Sequence, residues 1–234
     1  MNGYLMSIKD NIARIEEKIR ISAKISGRNA QDIKLLSVTK TVDAERIRAL
    51  YDMGYKAFGE NRVQEYRDKK DILPDDCEWH IIGRLQKNKL KYIAGNVSLI
   101  HSLSSLSVAQ EAQRLLSVKN LFQDFLIEVN VTGEESKDGV SPGELPEFVQ
   151  NLEVLDRIRI KGLMTIGRMS EDPENARPCF AELKSIYDSM SSYASDNFEM
   201  KYLSMGMSGD YWVAIEEGAN IVRIGSAIFG ERVY

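Results

Sequence analysis

Eight short apolar runs, each followed by a stretch with helical periodicity, constrain this chain more than any other feature. The runs lie at 35–39, 56–58, 79–82, 98–101, 124–130, 158–163, 200–203 and 220–224. Amphipathic patterns follow them at 43–53, 61–70, 86–94, 105–117, 143–153, 174–193 and 209–217, and a last turn or helix begins near Ser226. No Asn-Gly hairpin signal joins neighbouring runs. Such alternation makes successive strands parallel, with the helices as crossovers. Eight units in 234 residues fit a (β/α)8 TIM barrel, an α/β fold. A doubly wound open sheet is the competing architecture, because periodicity does not report whether a sheet closes.

A further pattern precedes the first unit. Leu5, Ile8, Ile12, Ile15, Ile19 and Ile21 recur near helical spacing over 4–25, between charged residues. This predicts an additional N-terminal helix (1–26) packed on the barrel. No Pro/Gly/Ser-rich linker divides the chain, so 1–234 reads as one domain, with 132–144 a long polar loop after the fifth strand.

Composition excludes several classes. A net charge of −4 argues against nucleic acid as the main partner. Cys77 and Cys179 are far apart, and His80 and His101 are too few for most histidine metal sites. The N-terminal stretch is charged throughout and lacks a secretory apolar segment. No run approaches the roughly 20 apolar residues that span a bilayer. The expectation is a soluble, cytoplasmic protein, a monomer without a membrane partner.

A barrel places its chemistry on the loops after the strands. The residues there are Lys40, Gly59-Glu60-Asn61, Gly83-Arg84, His101-Ser102, Asn130, Met164, Ser204–Ser208 and Arg223–Ser226. Lys40 alone reads as a solvated rim residue. Its functional reading is a Schiff-base amine, which must be neutral to attack an aldehyde. Met205-Gly206-Met207-Ser208-Gly209-Asp210 and Ile224-Gly225-Ser226-Ala227 fall after the seventh and eighth strands, the usual phosphate site of the fold. Free N–H groups and the hydroxyls of Ser208 and Ser226 suit an anion, although Gly and Ser also serve as plain turn and cap residues. Arg223 lies inside a strand. It either faces outward onto a helix or donates to an anion or a ring nitrogen. Glu60 or Asn61 could cap the next helix. His80 reads as a core or supporting histidine, and Arg84, Lys87, Lys89 and Lys91 as a solvated face or, alternatively, a positive rim that steers anions into the mouth.

The segments LLSVTK, FGENRVQE, WHIIGRLQKNK, EVNVTGEESKDGV, KGLMTIG and LSMGMSGDYWVAIEEGANIVRIGSAIFGER resemble the pyridoxal phosphate homeostasis proteins, which share their fold with the N-terminal barrel of alanine racemase. The resemblance runs from about residue 8 to the C-terminus. It implies that Lys40 carries pyridoxal 5′-phosphate (PLP) as a Schiff base, an internal aldimine. It also implies that Ser208, Gly225 and Ser226 hold the phosphate. Met205 and Gly206 would line the pocket, Arg223 would face the pyridine nitrogen, and Asn61 would lie near the ring. An arginine there disfavours the pyridinium that makes the cofactor a strong electron sink. Alanine racemase takes its second base from an additional C-terminal domain, for which this chain has no residues after the eighth strand. The expected function is therefore intracellular PLP homeostasis, with buffering or delivery to PLP-dependent apo-enzymes and without robust turnover. The alternatives are a single-domain PLP-dependent amino-acid racemase and, less compatible with a lysine on strand one, a cofactor-free Schiff-base aldolase.

Overall fold

In the computed structural model, which describes residues 2–134, 137–168, 170–191, 193 and 195–230, all eight expected runs are strands. The order is α1 (Asn2–Ile25), β1 (Lys34–Val38), α2 (Ala44–Asp52), β2 (Ala57–Glu60), α3 (Val63–Lys70), β3 (Glu78–Ile81), α4 (Lys87–Ile93), β4 (Leu99–Leu103), α5 (Leu106–Lys119) and β5 (Gln123–Glu128). It continues with α6 (Leu145–Leu152), β6 (Ile158–Met164), α7 (Arg177–Met190), β7 (Phe198–Ser204), α8 (Tyr211–Glu216), β8 (Ile221–Ile224) and α9 (Ser226–Phe229). Every strand pairs in parallel with its sequence neighbour, and β8 returns to pair with β1. The sheet is therefore a closed barrel, which settles the choice against an open doubly wound sheet.

Side chains at alternate strand positions point to opposite faces of the sheet. One set fills the barrel: Leu36, Leu99, Leu126, Met164 and Ile221 form an interior apolar cluster. The other set packs outward under the helices in a much larger cluster. Burial on both faces is why these strands read as continuous apolar runs. The outer helices start by ordinary cap chemistry where the sequence offers it. Asp43 accepts the Arg46 N–H at 2.9 Å and so opens α2, while Asn120, at φ 51°, ends α5 in the left-handed conformation.

The N-terminal helix packs on α8 and α9 and buries Ile8, Ile12, Ile15, Ile19 and Ala23. Each fully buried isoleucine contributes about 1.5–3 kcal/mol. Ile21 is not part of that stripe and is 46% exposed. It sits two residues past Ile19, on the far side of a helix that turns about 100° per residue. Sequence periodicity also merges two elements at 174–193. Pro173–Ala176 is a 3-10 turn, capped by Asp172 accepting the Glu174 N–H at 3.0 Å, and α7 begins only at Arg177. The fourth strand runs two residues further than its apolar run, to Leu103, so His101 lies within it and not at its mouth. Among the described residues, no helix is long and apolar enough to cross a membrane.

Gly162 bends β6 against β7. Its φ is +136°, and the register shifts at this point. A Cβ there would lie 1.9 Å from the Tyr202 carbonyl oxygen, a backbone atom that cannot move aside alone. Gly162→Ala is expected to lower stability by at least about 2 kcal/mol, read as a shift in the urea midpoint. A variant as stable as the parent would show that the β6–β7 backbone relaxes freely.

Candidate functional site

Lys40 stands two residues beyond β1, half-buried, in a tight turn closed by the Val42 N–H donating to the Thr39 carbonyl at 3.0 Å. The turn places Thr41 at φ +62°, an uncommon conformation for a β-branched residue. Four hydrogen bonds hold it there. Glu65 accepts the Thr41 N–H at 2.7 Å. Lys69 donates to the Thr39 carbonyl at 2.7 Å. Thr39 and Lys69 also donate to the same oxygen of Glu60, at 2.6 and 2.8 Å. Glu60 is wholly buried and Lys69 is 8% exposed. Burial raises the Glu60 carboxyl pKa, against the lowering effect of Lys69 and Thr39. Neither Glu60 nor Asn61 caps a helix: α3 begins after Arg62 without a side-chain cap. Asn61 is half-buried just past β2, and its backbone crosses Gly83 so closely that a Cβ there would lie 2.3 Å from the Asn61 carbonyl oxygen.

The loops after β7 and β8 meet beside this turn. The register pairs Leu36 with Arg223 and Ser37 with Ile224, so Gly225 follows directly alongside Val38. A Cβ on Gly225 would press on the Val38 carbonyl oxygen at 3.1 Å. Ser208 reaches across from the β7 loop, and its Oγ accepts the N–H groups of Gly225 and Ala227 at 3.2 and 3.3 Å. Two backbone donors thus converge on one point at the start of α9, the side of a helix that favours negative charge. Ser226 is exposed on the first turn of α9. The β7 loop is fixed by the Met207 N–H donating to Asp210 at 2.6 Å and by Gly206 at φ +89°, where a Cβ would lie 2.5 Å from that of Ala214. Met205 is fully buried in the outer core behind this loop.

Arg223 faces the barrel interior and is 4% exposed, so the outward reading is set aside. It donates to the Ser204 carbonyl and hydroxyl at 2.9 and 2.8 Å and to the Thr165 carbonyl at 2.8 Å. Burial pushes the guanidinium pKa down to about 10, which leaves it charged at neutral pH. Below it, His101 Nδ1 lies 2.9 Å from the Ser204 hydroxyl and His101 Nε2 2.8 Å from His80 Nδ1. His80 Nε2 is 2.9 Å from Glu78, which also pairs with Lys34. Both rings are buried, and burial lowers both pKa values.

The remaining strand-end residues do other work. Asn130 ties the following loop through the Glu134 carbonyl and the Thr132 hydroxyl, both at 2.9 Å. Ser102 donates to the Gly83 carbonyl at 2.6 Å. Met164 belongs to the interior apolar layer. Arg84, Lys87 and Lys91 are exposed and Lys89 half-buried, as a solvated face requires, and Arg84 pairs with Asp138 at 3.3 Å. Among the described residues, no group of three or more His, Cys, Asp or Glu could hold a metal. Sequence reasoning passed over Glu128 and Lys69. Glu128 ends β5 and is 5% exposed, and burial, with Asp138 nearby, pushes its carboxyl pKa up to about 7. Its signal was a carboxylate inside an apolar run. Lys69 gave none, because a lysine late in a polar helix is ordinarily solvated.

The alanine racemase N-terminal domain family matches residues 7–233, so this is a barrel of that class. A protein of Aquifex aeolicus named pyridoxal phosphate homeostasis protein is 47% identical over 230 residues, which is 98% of this chain and all of that one. Among solved structures, an unknown protein from Bifidobacterium adolescentis superposes with a TM-score of 0.92 at 33% identity, over 98% of this chain and 97% of that one. PipY of Synechococcus elongatus, solved with PLP bound, superposes with a TM-score of 0.79 at 30% identity, over 92% of this chain and all of that one. The chain belongs to the pyridoxal phosphate homeostasis protein family.

Two outcomes follow from the buried charges. Lys69→Met leaves Glu60 buried without its cation and is expected to cost about 3 kcal/mol, whereas Glu60→Gln/Lys69→Met recovers most of that in a double-mutant cycle of urea unfolding. The second concerns Glu128, whose pKa rises from its ordinary 4.5 to about 7 on folding. Between those values the folded protein holds a proton that the unfolded chain has released. This contribution is therefore present below pH 4.5 and is lost as pH rises through 7, by about 3 kcal/mol. Glu128→Gln should remove that loss, seen as a difference between parent and variant stability that grows from pH 4.5 to 7.

Proposed function

We propose that this chain binds pyridoxal 5′-phosphate reversibly at the C-terminal mouth of the barrel, with covalent attachment to Lys40, and buffers or delivers it within the cytoplasm without sustained turnover. The observation that carries this reading is the junction of β1 with β8. It sets a lysine turn beside two loops, of which the one after β8 aims two N–H groups at a hydroxyl carried by the one after β7. That point suits the cofactor's phosphate, because an anionic oxygen can replace or supplement Ser208 Oγ as acceptor for Gly225 and Ala227. The absence of a Cβ at Gly225 lets this loop approach β1. The names of the relatives and the PLP-bound PipY structure support the same ligand.

Ser208, Gly225 and Ser226 would hold the phosphate, with Met205 and Gly206 backing the wall. Asn61 would lie by the ring. Lys40 supplies the amine, and the rigid turn around it fixes where that amine can go. When bound, the cofactor supplies an electrophilic aldehyde and an electron-withdrawing ring for amine chemistry. Arg223 would face the ring nitrogen as a charged donor. A guanidinium there opposes a second positive charge and so weakens the ring as an electron sink, which favours storage over catalysis. PLP-dependent apo-enzymes are the proposed recipients.

Mixing purified protein with the cofactor should give a yellow species. Borohydride reduction and peptide mapping should place the label on Lys40, and Lys40→Ala should lose both colour and label. Ser208→Ala should weaken binding about tenfold, the worth of one charge-assisted hydrogen bond. A label on another lysine would overturn the assignment of the anchor. Racemisation of alanine at enzyme-like rates, dependent on Lys40, would replace storage by catalysis.

A further inference from the structure

The barrel interior carries a line of polar side chains from its floor to Arg223, and counting hydrogens fixes its direction. Arg223 has only donors and gives one to Ser204 Oγ. That oxygen has a single hydrogen, and the neighbour at 2.9 Å is His101 Nδ1. If Ser204 donates it, His101 Nδ1 is bare and Nε2 carries the ring hydrogen. His101 Nε2 then donates to His80 Nδ1 at 2.8 Å, and His80 Nε2 donates to Glu78 at 2.9 Å. Every ring nitrogen is used once, and charge stands only at the two ends. The opposite direction needs a protonated Glu78 or a doubly protonated His80. Glu78 is held low, at about 2, by its bonds to His80 and Lys34 against the opposing effect of burial. A cationic His80 would sit 1% exposed beneath Arg223 and above Lys34.

We propose that Arg223–Ser204–His101–His80–Glu78 is a one-way hydrogen-bond relay that positions the Arg223 guanidinium from the barrel floor, with Ser204, His101, His80 and Glu78 as positioning residues. Both histidines stay neutral in the Nε2–H form. The ionisable groups around them are Glu78 and Lys34 at the floor, Arg223 above, and, acting on Arg223 itself, Glu128 and Asp210. Glu78 and Lys34 are the solvent-facing members, with side chains 37% and 30% exposed. A change at the floor thus reaches a guanidinium at the other end of the barrel. A proton placed on His80 Nδ1 removes the acceptor of His101 Nε2–H. It forces His101 into the other tautomer and leaves the Ser204 hydrogen without its partner. The consequence for the ring-nitrogen end of PLP rests on the binding reading above; the tautomers do not.

His80 and His101 are the chain's two histidines, so ring-15N-histidine labelling of the full chain without cofactor gives two rings to assign. Both should be neutral Nε2–H tautomers, with no protonation through the ordinary histidine pKa of about 6.5. Ser204→Ala should leave His101 in the Nε2–H form, because His80 Nδ1 still needs its hydrogen, while the bare His101 Nδ1 loses its donor and its 15N resonance moves. Glu78→Leu should mix the tautomers of both rings, while Glu78→Gln, whose side-chain oxygen still accepts from His80, keeps them. In PLP titrations, Ser204→Ala and Glu78→Leu should raise Kd about fivefold to tenfold and Glu78→Gln should not. Either ring as Nδ1–H in the parent, a ring titrating near 6.5, or unchanged cofactor affinity in both disruptive variants would overturn the relay. Failure of the parent to bind the cofactor, with the tautomers as stated, would overturn the binding reading and leave the relay standing.

Discussion

The pairing of β8 with β1 is the contact on which the rest of the molecule depends. Without it the sheet has two open edges and no enclosed interior. With it, the lysine turn after the first strand and the loops after the last two become neighbours, although more than 160 residues separate them in sequence. Closure also creates the low-dielectric space in which Arg223, the two histidines and Glu128 interact. Buried polar groups are costly there unless each finds a partner. Arg223 and the two histidines meet that condition with shared acceptors, and Leu36, Leu99, Leu126, Met164 and Ile221 supply an apolar layer.

The fold was legible because its information is local. A parallel strand buried on both faces must be apolar, a crossover helix must be amphipathic, and both patterns repeat along the chain. Closure was not local, and it required knowing that Lys34–Ser37 meet Ile221–Ile224. The placement of the candidate residues was legible because the barrel dictates the loop positions: Lys40, Asn61, Ser208, Gly225 and Ser226 all lie just past strand ends. Arg223 was visible as a cation inside an apolar run, but its direction was not. Residues that act from a distance were harder to see. Lys69 reaches the lysine turn from the end of α3, and Thr41 is held in a strained turn position. Local chemistry could not reveal either, since each is defined by what another element brings to it.

The two buried networks divide the work at the mouth. Glu60, Lys69 and Glu65 fix the backbone that carries Lys40, whereas Ser204 and Thr165 fix the guanidinium across the barrel. One network is an ion pair that holds a strained turn. The other is a chain of neutral groups between charged ends. Their different chemistry makes them respond differently to acid: carboxylates in the first are neutralised, and imidazoles in the second gain charge.

The order of synthesis gives the barrel closure one more meaning. Lys40 is made early, but the loops that complete its surroundings come from the last fifth of the chain. A nascent or truncated polypeptide that has formed most of its units still lacks the enclosed mouth, because long-range parallel pairing is late and entropically expensive. Assembly of the site is therefore a checkpoint on finished folding. Only a chain that has joined its first strand to its last sets the lysine turn beside the two late loops, and a ligand bound there would in turn favour that closed state by mass action.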